Sequence, residues 1–134
     1  MTVRLEGNAL ALVNDQKYAV VSTLRKDATI HSVVAWVGVD DAGRLLLSSV
    51  EGRAWLANIR RTGQATVTVV NLDSPGEYVA VTTDLASATH DDAIEVIHVL
   101  ANKAIGTDFP FLNDDEQRVA VRLQPTRISY QRFG

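Results

Sequence analysis

The sequence contains no cysteine. That removes disulfides, thiolate metal sites and a cysteine nucleophile at once, and it fits a reducing compartment. Long apolar runs are missing too. The opening stretch MTVRLEGNALALVNDQ carries Glu6 and Asp15, so neither a signal peptide nor a membrane span is expected, and a cytoplasmic location is. Positive charge is not in excess: Lys+Arg number 13 against 16 Asp+Glu, a formal net charge of −3. That balance argues against nucleic-acid binding, which wants a basic face, and leaves room for a local basic pocket. GxSxG, the P-loop and GxGxxG are all absent. His31, His90 and His98 have no metal-ligand spacing, so no metal site is expected. Asp91 and Asp92 adjoin His90 but suit a helix start better than a ligand set. No repeat, linker or low-complexity tract interrupts the 134 residues, a length suited to a single domain over 1–134 with a real core.

What is present is organised around Leu45 to Asn71, LLLSSVEGRAWLANIRRTGQATVTVVN. The stretch reads as an apolar strand, a polar turn, a short basic helix and a second apolar strand. Ser48, Ser49 and Gly52 fall between strand and helix, and Arg53 falls where the helix starts. Unpaired backbone N–H groups and the positive dipole end collect there, which favours a bound anion. Arg53 adds a fixed charge and a fork of donors suited to phosphate. Ser, Gly and Arg are also common at ordinary helix starts, so the pattern alone leaves both readings open.

The remaining elements follow from periodicity and turn chemistry. Leu5, Ala9, Leu12 and Val13 recur at helical spacing over 5–15. Residues 17–25 and 29–39 read as two strands of a hairpin, and Asp40-Asp41-Ala42-Gly43 as a turn into a strand over 44–49. The short helix over 53–61 puts Trp55, Leu56 and Ile59 on one face. Ala65, Val67 and Val69 alternate against Thr66 and Thr68 in a half-buried strand. Asp73-Ser74-Pro75-Gly76 is a turn into a strand over 77–88. A helix is predicted over 90–105, capped by Thr89 with Asp92 as its box partner, with Gly106 at its end. Its apolar stripe is Ala93, Ile94, Ile97, Leu100, Ala101, Ala104 and Ile105. Residues 107–117 form a loop. Val119, Val121 and Leu123 alternate in a strand that Pro125 breaks, and 127–133 form the last strand. The sum is a mainly β, α+β fold: six or seven antiparallel strands in a barrel with peripheral helices, since the connections are mostly hairpin-short.

The run Ser48-Ser49-x-x-Gly52-Arg53-Ala54-x-x-x-Asn58-x-Arg60-Arg61, followed by a valine-rich strand, resembles the pyridoxamine 5′-phosphate oxidase-like split-barrel superfamily. The resemblance is closest to the branch of actinobacterial deazaflavin-dependent reductases. AVVSTL at 19–24, His31 and Trp36, and Arg118-Val119-x-Val121-x-Leu123-x-Pro125 with Ile128-x-Tyr130 resemble its first, second and closing strands. The resemblance implies a six-stranded split barrel that dimerises, with a flavin-type cofactor in the groove between subunits. It implies phosphate contacts at Ser48, Ser49 and Arg53, with Asn58 in the same pocket and His31 near the ring. Relatives usually carry lysine two residues after the arginine; here Trp55 stands there, expected to be partly buried at the pocket edge. Ile30 and Val34 stand where prolines are usual.

The implied function is an oxidoreductase that uses reduced coenzyme F420, with FMN as the alternative, to pass a hydride to an unsaturated small molecule. Tyr78, Tyr130 or solvent would supply a proton. A non-catalytic flavin- or tetrapyrrole-binding protein is the reading from another class, because fold does not fix function.

Overall fold

The computed structural model describes residues 1–133. Over these residues the chain forms helices α1 (Gly7–Asp15), α2 (Ala54–Thr62) and α3 (Ala93–Ile105) and strands β1 (Tyr18–Leu24), β2 (Ile30–Trp36), β3 (Gly38–Val39), β4 (Leu45–Val50), β5 (Gln64–Val70), β6 (Glu77–Thr89) and β7 (Arg118–Arg132). All seven strands join one sheet in the order β2-β1-β5-β6-β7-β4-β3, and every pairing is antiparallel. The fold is therefore mainly β, of the α+β kind, as the sequence predicts.

The expected strand over 29–39 is broken at Val37, and the break sets the architecture. β2 and β3 are consecutive in the chain, yet they stand at opposite ends of the strand order. One residue spans only about 3.5 Å, so the sheet must curl until its two edges are neighbours. β2 lies beside β4 without a hydrogen-bonded ladder between them. The result is a barrel with a split down one side. Lys103, half-buried on α3, holds the junction: its Nζ donates to Val37 O at 2.7 Å and to Val13 O at 2.8 Å, tying α3, α1 and the strand break together. Gly38 packs closely next to it, since a Cβ there would meet Leu100 Cδ2 at 3.1 Å.

Alternation supplies the barrel interior. Ala65, Val67 and Val69 of β5 turn inward with Val79, Val81, Val119, Val121 and Leu123, and Leu12, Val13, Leu56 and Ile59 of α1 and α2 close over them. β4 is buried on both faces, which explains its continuous apolar run. Leu45 and Leu47 face the interior, while Leu46 joins Ala93, Val96, Leu100 and Ala120 beneath α3.

Three local expectations are corrected. α3 starts at Ala93, and Thr89 does not cap it. Its hydroxyl donates instead to Asp92 Oδ1 at 2.7 Å, while Arg122 holds Asp92 Oδ2 at 2.6 Å. The stripe of α3 includes Val96 and omits Ile94 and Ile105, which lie roughly 90–110° round the helix from the centre of the stripe and stay exposed. Pro125 does not end a strand: β7 runs through it, with a register shift between Thr82 and Thr83 where Pro125 pairs. A bulge tolerates a residue that has no N–H to give.

Candidate functional site

The split holds a cavity of about 380 Å³. Its walls come from β2, β4, the start of α2, one face of α3 and Arg118 at the start of β7. One end is polar, with Ser48, Ser49, Arg53 and Arg118. The other is apolar, with Val33, Ala35, Trp36, Ile97 and Leu100.

The polar end is built by the turn between β4 and α2. Gly52 takes φ +96°, a left-handed conformation that a side chain would strain. This turns the chain so that Arg53 N–H bonds Val50 O at 3.1 Å and Arg53 becomes the N-cap. No side chain caps the helix. The N–H groups of Ala54 and Trp55, in its first turn, have no intrahelical acceptor, and both residues line the cavity. The same turn directs Glu51 away from the anion end. Its carboxylate takes both Arg60 nitrogens at 2.6 and 2.9 Å and His90 Nε2 at 2.6 Å. Those bonds hold the Glu51 carboxyl at about 2, with Arg60 the larger cause.

Arg118 opens β7 opposite Val50. Among the described residues its one hydrogen bond goes to Ser48 Oγ at 3.2 Å, its guanidinium lies 4.6 Å from the centre of the Phe109 ring, and its buried Nε has no partner. Burial, and then the positive charge of Arg53, push its pKa down, against the pull of Glu116. Neither Arg53 nor Arg118 is ion-paired among the described residues. Ser49 is 4% exposed and its Oγ is also unpartnered. Two unpaired guanidiniums, two unpartnered buried polar atoms and a free helix N-terminus make this end of the cavity short of negative charge.

Of the residues expected from sequence, His31, Ser48, Ser49, Arg53 and Trp55 line this one cavity. His31 Nδ1 accepts from Arg25 at 2.9 Å, since a guanidinium can only donate, and the ring proton is thereby left on Nε2. Trp55 is more buried than expected, 6% exposed, and belongs to the barrel interior as well as to the cavity wall. Asn58 does not line the cavity. It is buried on the inner face of α2, where its Nδ2 donates to Thr23 Oγ1 at 3.1 Å and its Oδ1 accepts from Arg61. Tyr78 and Tyr130 also lie outside it, and the Tyr130 hydroxyl donates to Glu77. Arg118 was not expected here. Its only signal in the sequence is an arginine at the head of an alternating strand, and the register with β4 is what brings it to Ser48.

A protein-family model described as pyridoxamine 5′-phosphate oxidase matches residues 5–132. No curated protein matches the sequence. Among solved structures, one described as an F420 reductase superposes with a TM-score of 0.83 at 21% identity, over 93% of this chain and 98% of that one. A conserved hypothetical protein from Mycobacterium tuberculosis superposes with a TM-score of 0.78 at 17% identity, over 98% and 86%. An FMN-binding protein from Syntrophomonas wolfei gives 0.67 at 12% identity, over 91% and 82%. At these identities the likeness is one of fold.

Proposed function

The chain belongs to the pyridoxamine 5′-phosphate oxidase family, and from that premise we propose that it is an oxidoreductase that binds reduced coenzyme F420 and passes a hydride to an unsaturated small molecule. The observation that carries this reading is the cavity in the split, lined both by unpaired cationic side chains and by apolar ones. The residues present fit a phosphate-bearing flavin-type cofactor: the unpartnered Ser49 Oγ and the unpaired Arg53 suit its phosphate, and Val33 and Ala35, which share one face of β2, suit the face of a ring. FMN meets the same requirements and is the alternative.

When bound, the reduced cofactor supplies the hydride. The chain contributes position and exclusion of water. Arg53, Ser48 and Ser49 would hold the phosphate, and the apolar residues of β2 would receive the ring. Val33 and Ala35 would pack on the ring and exclude water from it. His31 stands at the same wall with Nε2–H available to donate, its orientation held by Arg25. With Tyr78 and Tyr130 outside the cavity, solvent supplies the proton that follows the hydride.

We propose further that the chain works in the cytoplasm as a homodimer, whose partner subunit closes the open side of the split. The support is an exposed apolar surface on the outer face of β1 and the edge strand β2: Tyr18, Val20 and Leu24 pair with Trp36, Val34 and Ile30, and of these only Trp36 is not exposed. No helix among the described residues is long and apolar enough to cross a membrane.

The test is the absorbance spectrum of the protein after incubation with F420 or FMN and removal of the excess, followed by turnover of the retained, reduced cofactor against a panel of unsaturated acceptors. Retention and turnover of F420 are expected. Retention of FMN alone moves the reading to its alternative, retention without turnover favours a binding protein, and retention of neither overturns it. In the same assay Arg53→Ala is expected to weaken cofactor binding by roughly 1.5–3 kcal/mol. Arg61→Ala is expected to leave affinity unchanged, because Arg61 is engaged with Asn58 and Leu24 O at the far end of α2. Equal effects would mean that the turn does not hold the phosphate.

A further inference from the structure

We infer that Arg118 is the second phosphate-binding cation of the cavity, supplied from β7 beside Arg53 at the entrance of α2. The inference rests on the proposed phosphate-bearing ligand and goes beyond it by naming a residue and a geometry. A phosphate in this fold needs its charge balanced, and α2 offers only Arg53 at its entrance, since Arg60 is consumed by Glu51 and Arg61 by Asn58 and Leu24 O. Trp55, in the first turn of α2, points an indole into the interior and brings no charge to the cavity.

Across the β4–β7 ladder, Arg118 sits in register with Val50, the last residue before the turn. Three features suit it to the role. First, it is held in place without being neutralised: its guanidinium stacks on Phe109 and donates once, to Ser48 Oγ. Ser48 accepts that bond, which leaves the hydroxyl proton free to donate to an anion. Second, no carboxylate pairs with it among the described residues, and Glu116, the nearest acidic influence, makes no ion pair with it. Third, its Nε is buried and unpartnered, and Arg118 lines the cavity. A buried donor without an acceptor costs free energy unless a ligand supplies one. Arg53 and Arg118 are also close enough to repel each other, and an anion between them removes that repulsion. The shared chemistry is a phosphate group, whether the monoester of FMN or the diester of F420.

The experiment compares each cofactor with its own ring lacking the phosphate: FMN with riboflavin, and F420 with the deazaflavin chromophore stripped of its tail. Dissociation constants are measured for the wild type, Arg118→Gln and Arg118→Lys. Inorganic phosphate is tested separately by the shift it causes in melting temperature. The wild type is expected to prefer a phosphate-bearing ring. Arg118→Gln is expected to weaken that form by about 10- to 100-fold, with the stripped ring changed by less than about twofold. Lysine, which keeps the charge and loses the fork, falls between. A wild-type preference that survives Arg118→Gln overturns the inference while leaving the proposed function intact, and so does the absence of any preference. If no ring binds, the proposed function fails and phosphate decides: a wild-type melting shift that Arg118→Gln abolishes supports the role of Arg118, and no shift, or an equal one, overturns it. If glutamine prevents folding, an unchanged phosphate affinity in Arg118→Lys is the overturning result.

Discussion

Trp55 belongs to two environments at once, and its substitution weighs one against the other. A lysine there would bring a cation to the start of α2, worth about 1 kcal/mol or more to a bound phosphate. The indole it replaces is 6% exposed and packed in the barrel interior. Losing that packing and burying an ammonium costs roughly 3 kcal/mol or more. Trp55→Lys is therefore expected to lower stability in chemical denaturation by about that amount, with no gain in cofactor affinity. A variant of unchanged stability that bound more tightly would show that the side chain belongs to the phosphate pocket alone. At this scale the sequence exposes what is local. Ser48, Ser49, Gly52 and Arg53 are consecutive enough for turn chemistry to announce them. Arg118 is not, because its place depends on strand register. Asn58 stands apart from the cavity: helical spacing puts it on the same inward face as Trp55, Leu56 and Ile59, where Thr23 and Arg61 satisfy its amide.

Elements in this molecule are fastened by short polar clamps that periodicity does not reveal. Glu51 binds α2 through Arg60 and the turn before α3 through His90. Its folded pKa of about 2 lies below the ordinary 4.5, so its contribution is present above pH 4.5 and is lost as pH falls from there towards 2. Glu51→Gln removes the titration. Melting temperature is expected to fall less steeply between pH 4.5 and 2 in the variant than in the wild type. The slope that remains comes from Asp92, Glu77 and Asp27, whose pKa values are also lowered by hydrogen bonds. Parallel pH profiles would show that Glu51 clamps nothing. Most of the elements themselves were legible, since the threefold-to-fourfold and twofold spacings of apolar residues survive in α1, α2 and β5 with little disturbance. The errors fall where a partner decides the outcome. Pro125 stays within β7 because β7 itself bulges at the neighbouring Thr126, which has no partner on β6, and Thr89 abandons the cap because Asp92 is shared with Arg122.

At the scale of the whole molecule, the single residue Val37 separates what a sequence can tell from what it cannot. Antiparallel strands and short turns announce an all-antiparallel sheet. Only the passage of the chain from one sheet edge to the other in one residue makes that sheet a split barrel, and nothing in the pattern of residues 29–39 marks the crossing. The split is also what leaves β2 unpaired at its outer edge, with Ile30 67% and Val34 69% exposed beside the exposed Val20 and Leu24 of β1. A flat apolar edge of this kind invites another chain, and a closed symmetric dimer is the commonest answer. Val34 lies on this face and also lines the cavity, so the proposed dimer and the proposed cofactor site are linked: a partner laid on β2 would wall the cavity. Ile30→Glu tests the link at a residue outside that wall. An exposed side chain costs little to change in a monomer, within about 0.5 kcal/mol, while a charge buried in an interface costs several times more. Light scattering is expected to give twice the 14.6 kDa chain mass for the wild type and a monomer for Ile30→Glu at micromolar concentration. Cofactor affinity in the variant is expected to fall with the dimer and to recover as protein concentration is raised, since mass action then restores the missing wall. A wild-type monomer would remove the partner from the site, and a monomeric variant with unchanged affinity would show that one chain holds the cofactor alone.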